Sequence, residues 1–95
     1  MQNIFDVKLS RNALKQLKKV PVYIAVKLQT WIDDVGYLGL SEVKKVPGYH
    51  DEPLKGERKG QRSIRLSRSY RAIYWIDKND IIQFLEILEV TKHEY

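Results

Sequence analysis

The chain contains no cysteine, and this absence excludes several kinds of chemistry. A disulfide framework, a thiolate nucleophile and a metal site built on cysteine are all ruled out. No apolar run approaches the roughly 18 residues that a membrane span needs, and the first three residues do not resemble the start of a signal peptide. The sequence therefore predicts a cytoplasmic protein that does not contact the membrane.

Histidine is also scarce, since the chain has only His50 and His93. Neither belongs to a pair spaced four residues apart, so a metal site would need help from carboxylates. We therefore expect no metal ion and no other cofactor. With 43% hydrophobic and 31% charged residues, the composition is typical of a folded protein. Its 95 residues suffice for one domain, which we expect to span residues 1–95.

Positive charge is concentrated in one stretch of the chain. Between Lys55 and Arg71 the single acid is Glu57, and the local net charge is +6 while the whole chain carries +5. A solvated surface usually mixes both signs, whereas focused positive charge is typical of a polyanion site. The basic residues of the stretch are Lys55, Arg58, Lys59, Arg62, Arg65, Arg68 and Arg71. We interpret the stretch as a contact surface for a phosphate-bearing partner.

The same stretch has the pattern of a β-hairpin. Residues 63–66 alternate between polar and apolar, which predicts a half-buried strand. Ile64 and Leu66 would face the core, and the polar residues between them would face the other side. Residues 67–69 form the predicted turn, and residues 70–76 are rich in the aromatic and β-branched residues of a second strand.

The N-terminal part of the chain predicts one strand followed by two helices. Residues 4–9 alternate as a strand does, and Ser10 stands where its hydroxyl can cap a first helical turn. A second helix begins near Pro21 and carries an apolar stripe to Gly36, which we expect to cap its C-terminal end. The lysines of these helices could contact nucleic acid, but packing on a sheet, or a partner protein, is the favoured role.

The remaining segments complete a mixed architecture. A short helical turn is expected at residues 41–46 and a tight turn at Pro47. Residues 81–90 are strongly apolar, which predicts a central strand covered on much of both faces. The predicted fold class is α+β, with an N-terminal strand, a helical hairpin and a three-stranded antiparallel meander that together form one mixed sheet.

Four motifs together resemble the RelE/ParE superfamily of bacterial toxins, which implies a RelE-like fold. They are Pro53-Leu54-Lys55-Gly56, Arg62-Ser63-Ile64-Arg65-Leu66, Tyr70-Arg71-Ala72-Ile73-Tyr74 and the terminal Lys92-His93-Glu94-Tyr95. The likeness covers essentially the whole chain, and the HigB-like and YoeB-like branches are the most similar. Each motif alone is unspecific, whereas all four in this order and spacing are fairly specific.

The resemblance implies the toxin of a type II toxin–antitoxin pair, neutralised by a cognate antitoxin. Such toxins usually cut messenger RNA in the ribosomal A site without metal, by attack of the RNA's own 2′-hydroxyl on the adjacent phosphate. This reaction needs a base for the hydroxyl, cations for the charge on the phosphate oxygens, and an acid for the leaving 5′-oxygen. Promoter DNA is expected as a partner only through the antitoxin complex.

The resemblance also implies roles for individual residues. Glu52 matches a glutamate that some members use as general base, while several branches use lysine or another base instead. Arg65 and Arg71 match the strand residues that hold the scissile phosphate, a role that suits the forked guanidinium group. His93 matches the general acid, and Tyr95 matches a tyrosine that stacks on a base or assists the acid. Further RNA contacts are expected from Lys55, Arg58, Lys59, Arg62, Arg68 and Lys92.

Two other interpretations stay open. A toxin of the ParE kind shares the fold but binds DNA gyrase and lacks the catalytic residues, and a plain RNA-binding module would not need the terminal residues. The presence of Arg65 and Arg71 together with His93 and Tyr95 favours the ribonuclease. In a continuing strand His93 and Tyr95 would share a face opposite Glu94, so which of them meets the leaving group stays open.

Overall fold

The computed structural model describes residues 3–77 and 84–92, which form three α-helices and five strands. In chain order the elements are β1 Val7–Leu9, α1 Arg11–Leu17, α2 Val22–Leu38, α3 Leu40–Val43, β2 Glu52–Pro53, β3 Arg62–Arg65, β4 Tyr70–Asp77 and β5 Phe84–Lys92. Short 3₁₀ turns lie at Pro47–Tyr49 and Gly56–Arg58. The predicted α+β class is confirmed. None of the helices within the described ranges is long and apolar enough to cross a membrane.

One helix start agrees with the sequence prediction and one helix end does not. Ser10 caps α1, because its Oγ accepts a hydrogen bond from the backbone N–H of Ala13 at 3.0 Å. The prediction that Gly36 ends α2 is wrong, because the helix continues past it and Gly39 follows with a φ of +86°. This positive φ favours glycine, and a Cβ at position 39 would also overlap the side chain of Asn3.

The strands form one mixed sheet in the order β1-β5-β4-β3-β2. β1 runs parallel to β5, and the other neighbours are antiparallel. The mixed sheet and the β3–β4–β5 meander are therefore confirmed. The turn between β3 and β4 closes on Ser67, whose Oγ accepts from the backbone N–H groups of Ser69 and Tyr70. β2 is absent from the sequence prediction, since two residues are too few to show a periodicity.

The helices cover one face of the sheet and form the core there. Trp31 of α2 is fully buried, and its ring lies 5.3 Å from the ring of Tyr74 on β4. Such an aromatic pair adds about 0.5–1.5 kcal/mol beyond the burial of its area. Ile64 and Leu66 face this core, as the alternation in β3 predicts. Other members of the core are Ala13, Ile24, Leu28, Val35, Ala72 and Val90.

Candidate functional site

A cleft of about 180 Å³ lies over strands β2, β3 and β4, on the face of the sheet opposite the core. Its position follows from the pleat, because Arg65 and Arg71 alternate along their strands with the core residues Ile64 and Ala72. The cleft is lined by His50, Glu52, Ser63, Arg65, Ser67, Arg68, Tyr70 and Arg71. Four predicted site residues are thus brought together, namely Glu52, Arg65, Arg68 and Arg71.

The strand register places the polar groups of the cleft in two neighbouring rows. Arg65 of β3 lies directly opposite Arg71 of β4. Glu52 of β2 lies opposite Ser63, which is two residues before Arg65 and therefore on the same face of β3. One carboxylate and a pair of guanidinium groups consequently border the same space.

The arginine pair sets two like charges opposite each other. Opposed like charges destabilise a sheet, so the pair costs the fold some stability. Within the described part of the chain, neither Arg65 nor Arg71 takes part in an ion pair. A phosphodiester, with one negative charge, would offset part of this repulsion, since a guanidinium fork can grip two oxygens of a tetrahedral anion. The arrangement therefore suits an anion.

Residues 49–52, here called the strap, bring two further polar groups to the cleft. Buried and exposed side chains alternate along the strap. Tyr49 and the side chain of Asp51 are buried. His50 and Glu52 are exposed and line the cleft. The buried residues fix the strap, and the exposed ones provide an imidazole and a carboxylate.

Tyr49 fixes the start of the strap to helix α2. Its hydroxyl donates a hydrogen bond to Oδ2 of Asp34 at 2.8 Å, and Nζ of Lys27 lies 4.9 Å from the centre of its ring. Burial, reinforced by the hydrogen bond and the charge of Asp34, raises the pKa of Tyr49 to about 12. The hydroxyl therefore stays protonated, and keeps its role as donor, across the whole neutral range.

Asp51 fixes the middle of the strap to the sheet. Its side chain is 0% exposed, its Oδ1 accepts from Nε of Arg62 at 2.6 Å, and its Oδ2 accepts from the Tyr74 hydroxyl at 2.6 Å. Burial raises the pKa of Tyr74 above its ordinary value, and the charge of Asp51 raises it further. Burial opposes the charge on Arg62, but the hydrogen bond and charge of Asp51 outweigh it, and the net effect raises the pKa of that guanidinium.

The sequence prediction treats Arg62 as an RNA contact, whereas the structure pairs it with Asp51. Arg62 is not among the residues that line the cleft. Asp51 itself is absent from the predicted site. The signal that could have found it is the period of two in the strap, which places Tyr49 and Asp51 on one side and His50 and Glu52 on the other.

His50 is a second residue that the predicted catalytic set lacks. Its φ is +46°, in the left-handed region that residues other than glycine seldom adopt. This conformation ends the 3₁₀ turn, where the His50 N–H donates to the carbonyl of Pro47 at 3.1 Å, and turns the chain into β2. Its imidazole therefore stands in the cleft with the carboxylate of Glu52, and both groups can form hydrogen bonds with a ligand.

Four other predicted site residues are described by the structure and are not among those that line the cleft. The exposed segment between β2 and β3 contains Lys55, Arg58 and Lys59. Lys92 is exposed at the end of β5. His93 and Tyr95 lie outside the described residues, so their roles stay predictions. Within residues 3–77 and 84–92, no three histidine, aspartate or glutamate side chains are close enough together to hold a metal ion.

Comparison with known protein families identifies the class to which this fold and cleft belong. Residues 7–92 match the family model described as the ParE toxin of the type II toxin–antitoxin system parDE. The chain therefore belongs to this family, and the predicted resemblance to the RelE/ParE superfamily is confirmed. A search of curated protein sequences found no significant match.

Solved structures of toxins have the same fold. YafQ from E. coli strain BL21(DE3) is 19% identical with a TM-score of 0.71, over 92% of this chain and 91% of that chain. A YoeB/ParE toxin from Agrobacterium tumefaciens is also 19% identical, with a TM-score of 0.67 over 94% and 99% of the two chains. The toxin–antitoxin complex RelBE2 from Mycobacterium tuberculosis contains a chain that is 24% identical, with a TM-score of 0.66 over 96% and 99%. Because the identities are below 25%, the similarity to these structures establishes the fold alone.

Proposed function

We propose that this type II toxin acts in the cytoplasm as a ribosome-dependent endoribonuclease that cleaves messenger RNA without a metal ion. The observation that supports the proposal is the Arg65–Arg71 pair, set opposite each other in a cleft that Glu52 and His50 also line. The pair supplies the cations that a phosphodiester needs, and Glu52 supplies a base beside it.

The chemistry follows from these positions. Glu52 accepts the proton of the RNA 2′-hydroxyl, whose oxygen forms a bond to the adjacent phosphorus. The bond from phosphorus to the 5′-oxygen breaks, leaving a 2′,3′-cyclic phosphate on one product and a 5′-hydroxyl on the other. Arg65 and Arg71 stabilise the negative charge that develops on the phosphate oxygens. His93 protonates the leaving 5′-oxygen, and Tyr95 stacks on a base or assists the acid.

The partners follow from the charge. Lys55, Lys59 and Lys92, together with Arg58, contact the phosphates of messenger and ribosomal RNA outside the cleft. A cognate antitoxin with an acidic segment covers the cleft or otherwise blocks entry into the ribosome. Promoter DNA is contacted only through the antitoxin complex.

The alternative function is inhibition of DNA gyrase without catalysis, in the manner of ParE. The match of residues 7–92 to the ParE toxin model favours this alternative. The cleft favours the ribonuclease, because gyrase inhibition by binding alone gives no reason to set a carboxylate around one space with two arginines with which no acid of residues 3–77 and 84–92 pairs. One experiment separates the two functions.

The test compares the wild type with Arg71→Ala in two assays, using toxin made by cell-free synthesis. Messenger cleavage is measured on programmed ribosomes, and supercoiling is measured with purified gyrase. Loss of one preorganised electrostatic contact to a transition state typically costs 10²–10³-fold, so cleavage by Arg71→Ala should fall by about that factor. The matched control is Arg11→Ala, which removes an equal charge from an exposed position at the start of α1.

Each outcome decides between the two functions. Cleavage by the wild type and by Arg11→Ala, with a large loss in Arg71→Ala, supports the ribonuclease. Gyrase inhibition by all three chains without any cleavage would establish the alternative. An equal loss in both arginine variants would mean that net charge matters rather than the cleft, and would count against the catalytic assignment.

A further inference from the structure

The strap that carries Glu52 and His50 is fixed by side chains as well as by a very short backbone ladder. β2 has two residues, and the second of them, Pro53, has no N–H to donate to β3. The strap also contains the left-handed backbone of His50, a conformation that persists only where the surrounding structure holds it. The position of the two cleft groups therefore also depends on the buried side chains of Tyr49 and Asp51, which alternate with them.

The main anchor is a two-point contact on the far side of the sheet. Arg62 and Tyr74 are direct neighbours across β3 and β4, so Nε of one and the hydroxyl of the other point at the same carboxylate. Asp51 reaches them because it alternates with Glu52, which pairs with Ser63 on the cleft face. Both oxygens of Asp51 are engaged, and this fixes the rotation of its side chain as well as its position.

We propose that Asp51 is a positioning residue for RNA cleavage, acting through the strap to hold Glu52 and His50 at the scissile phosphate. This inference rests on the proposed ribonuclease function. Asp51 touches no part of the cleft, so it contributes nothing to the grip on RNA, which belongs to Arg65 and Arg71. Its loss should therefore slow the reaction while leaving substrate affinity unchanged.

The test uses two substitutions of different severity in the full chain, made by cell-free synthesis. Asp51→Asn keeps the size of the side chain but removes the charge that matches Arg62. Tyr74→Phe removes only the hydroxyl that holds Oδ2 and keeps the ring against Trp31, so it is the milder change. The control for stability is Ile24→Val, a small core deletion in α2 at a residue outside the strap and its anchors.

Cleavage of messenger is measured at several concentrations of programmed ribosomes, so that kcat and KM are obtained separately. A small misplacement of a reacting group can cost up to about 10²-fold, so we expect kcat to fall by about 10- to 100-fold in Asp51→Asn and by less in Tyr74→Phe. KM should stay within a factor of about two in both, because the arginine pair is intact. Ile24→Val should keep both constants near those of the wild type.

The outcomes distinguish the positioning role of Asp51 from the proposed ribonuclease function on which it rests. A fall in kcat alone, graded from Tyr74→Phe to Asp51→Asn, supports the positioning role. Wild-type kcat in a folded Asp51→Asn or Tyr74→Phe, or a parallel rise in KM, overturns the positioning role and leaves the ribonuclease intact. If Asp51→Asn does not fold, Tyr74→Phe decides the question by the same criteria. No cleavage by the wild type overturns the ribonuclease, and the positioning role falls with it.

Discussion

The two faces of the sheet are made from the same strands and hold opposite kinds of interaction. On the helix-covered face, Tyr74 is fully buried and its ring packs against that of Trp31. On the other face, Arg71 stands opposite Arg65, and within the described residues no acid pairs with either. Tyr74 and Arg71 are three positions apart on β4, and they therefore lie on opposite faces of the sheet and make different kinds of interaction. The core face stabilises the fold, whereas the cleft face sets two like charges opposite each other, an arrangement that lowers the stability of a sheet.

The two faces are also linked through one residue. The ring of Tyr74 belongs to the core, while its hydroxyl holds Asp51 and so fixes the strap that carries Glu52 to the cleft. A change at Tyr74 in the core can thus reach the cleft through Asp51 and the strap.

Removal of the core aromatic should have the largest effect on stability. We expect Trp31→Ala to lower the free energy of unfolding by about 3–5 kcal/mol, because it deletes a fully buried side chain and leaves a cavity against Tyr74. The matched control is Trp75→Ala on β4, where the tryptophan is 40% exposed and less transfer energy is lost. Urea unfolding followed by circular dichroism measures both, and equal losses in the two variants would contradict the division between the faces.

A smaller effect is expected at alkaline pH, where the anchor of the strap to α2 titrates. Folding raises the pKa of Tyr49 from 10.0 to about 12, so the folded state favours the protonated hydroxyl. The resulting stabilisation is complete below pH 10 and is lost as the pH rises through about 12, at a cost on the order of 2 kcal/mol. Tyr49→Phe cannot ionise at this position, so its stability should decline less steeply between pH 10 and 12.

The control for the alkaline experiment is Tyr37→Phe, which removes a tyrosine that is 85% exposed. Its unfolding free energy should follow the wild-type curve through the alkaline range, including the part that comes from lysine deprotonation. If Tyr49→Phe and Tyr37→Phe decline in parallel, the strap is not held by a titrating hydroxyl on Tyr49.

The sequence was sufficient for features that depend on a local period. Alternation in β3 placed Ile64 in the core and Arg65 on the other face. The apolar run at residues 81–90 predicted an inner strand, and β5 lies between β1 and β4, while residues 81–83 lie outside the described residues. The sequence was insufficient where contacts with a distant residue matter. Gly36 and Gly39 both suit a helix end, and the structure distinguishes them by the positive φ of Gly39 and by the side chain of Asn3 that lies against it.

The same limit applies to the candidate site. Counting charges treats the arginines of the basic stretch alike, although the alternation in β3 puts Arg62 on the face of Ile64 and Arg65 on the other face. What the sequence does not give is the partner of Arg62, because Asp51 is 11 residues from Arg62 and 23 from Tyr74 and meets both only after the strands pair. Local patterns therefore predicted Arg65 and Arg71 on one face, which the structure shows, while the contacts that fix residues 49–52 join distant segments.

The smallest effect concerns the stability that the cleft face gives up. Arg65 is exposed, so replacing it with glutamine removes little packing but relieves the repulsion with Arg71 across the strands. We expect Arg65→Gln to raise the free energy of unfolding by about 0.2–1 kcal/mol at low salt. The gain should shrink near 1 M salt, where the screening length falls to about 3 Å. Lys19→Gln, at an exposed position after α1, corrects for the general effect of lowering the net charge.

Inorganic phosphate should narrow the difference in unfolding free energy between Arg65→Gln and the wild type, because an anion held by both arginines stabilises the wild type and not the variant. Thermal unfolding in chloride and phosphate buffers at equal ionic strength measures all three chains. An Arg65→Gln chain less stable than the wild type in chloride would show that the pair supports the fold, and the anion site would lose its main physical argument.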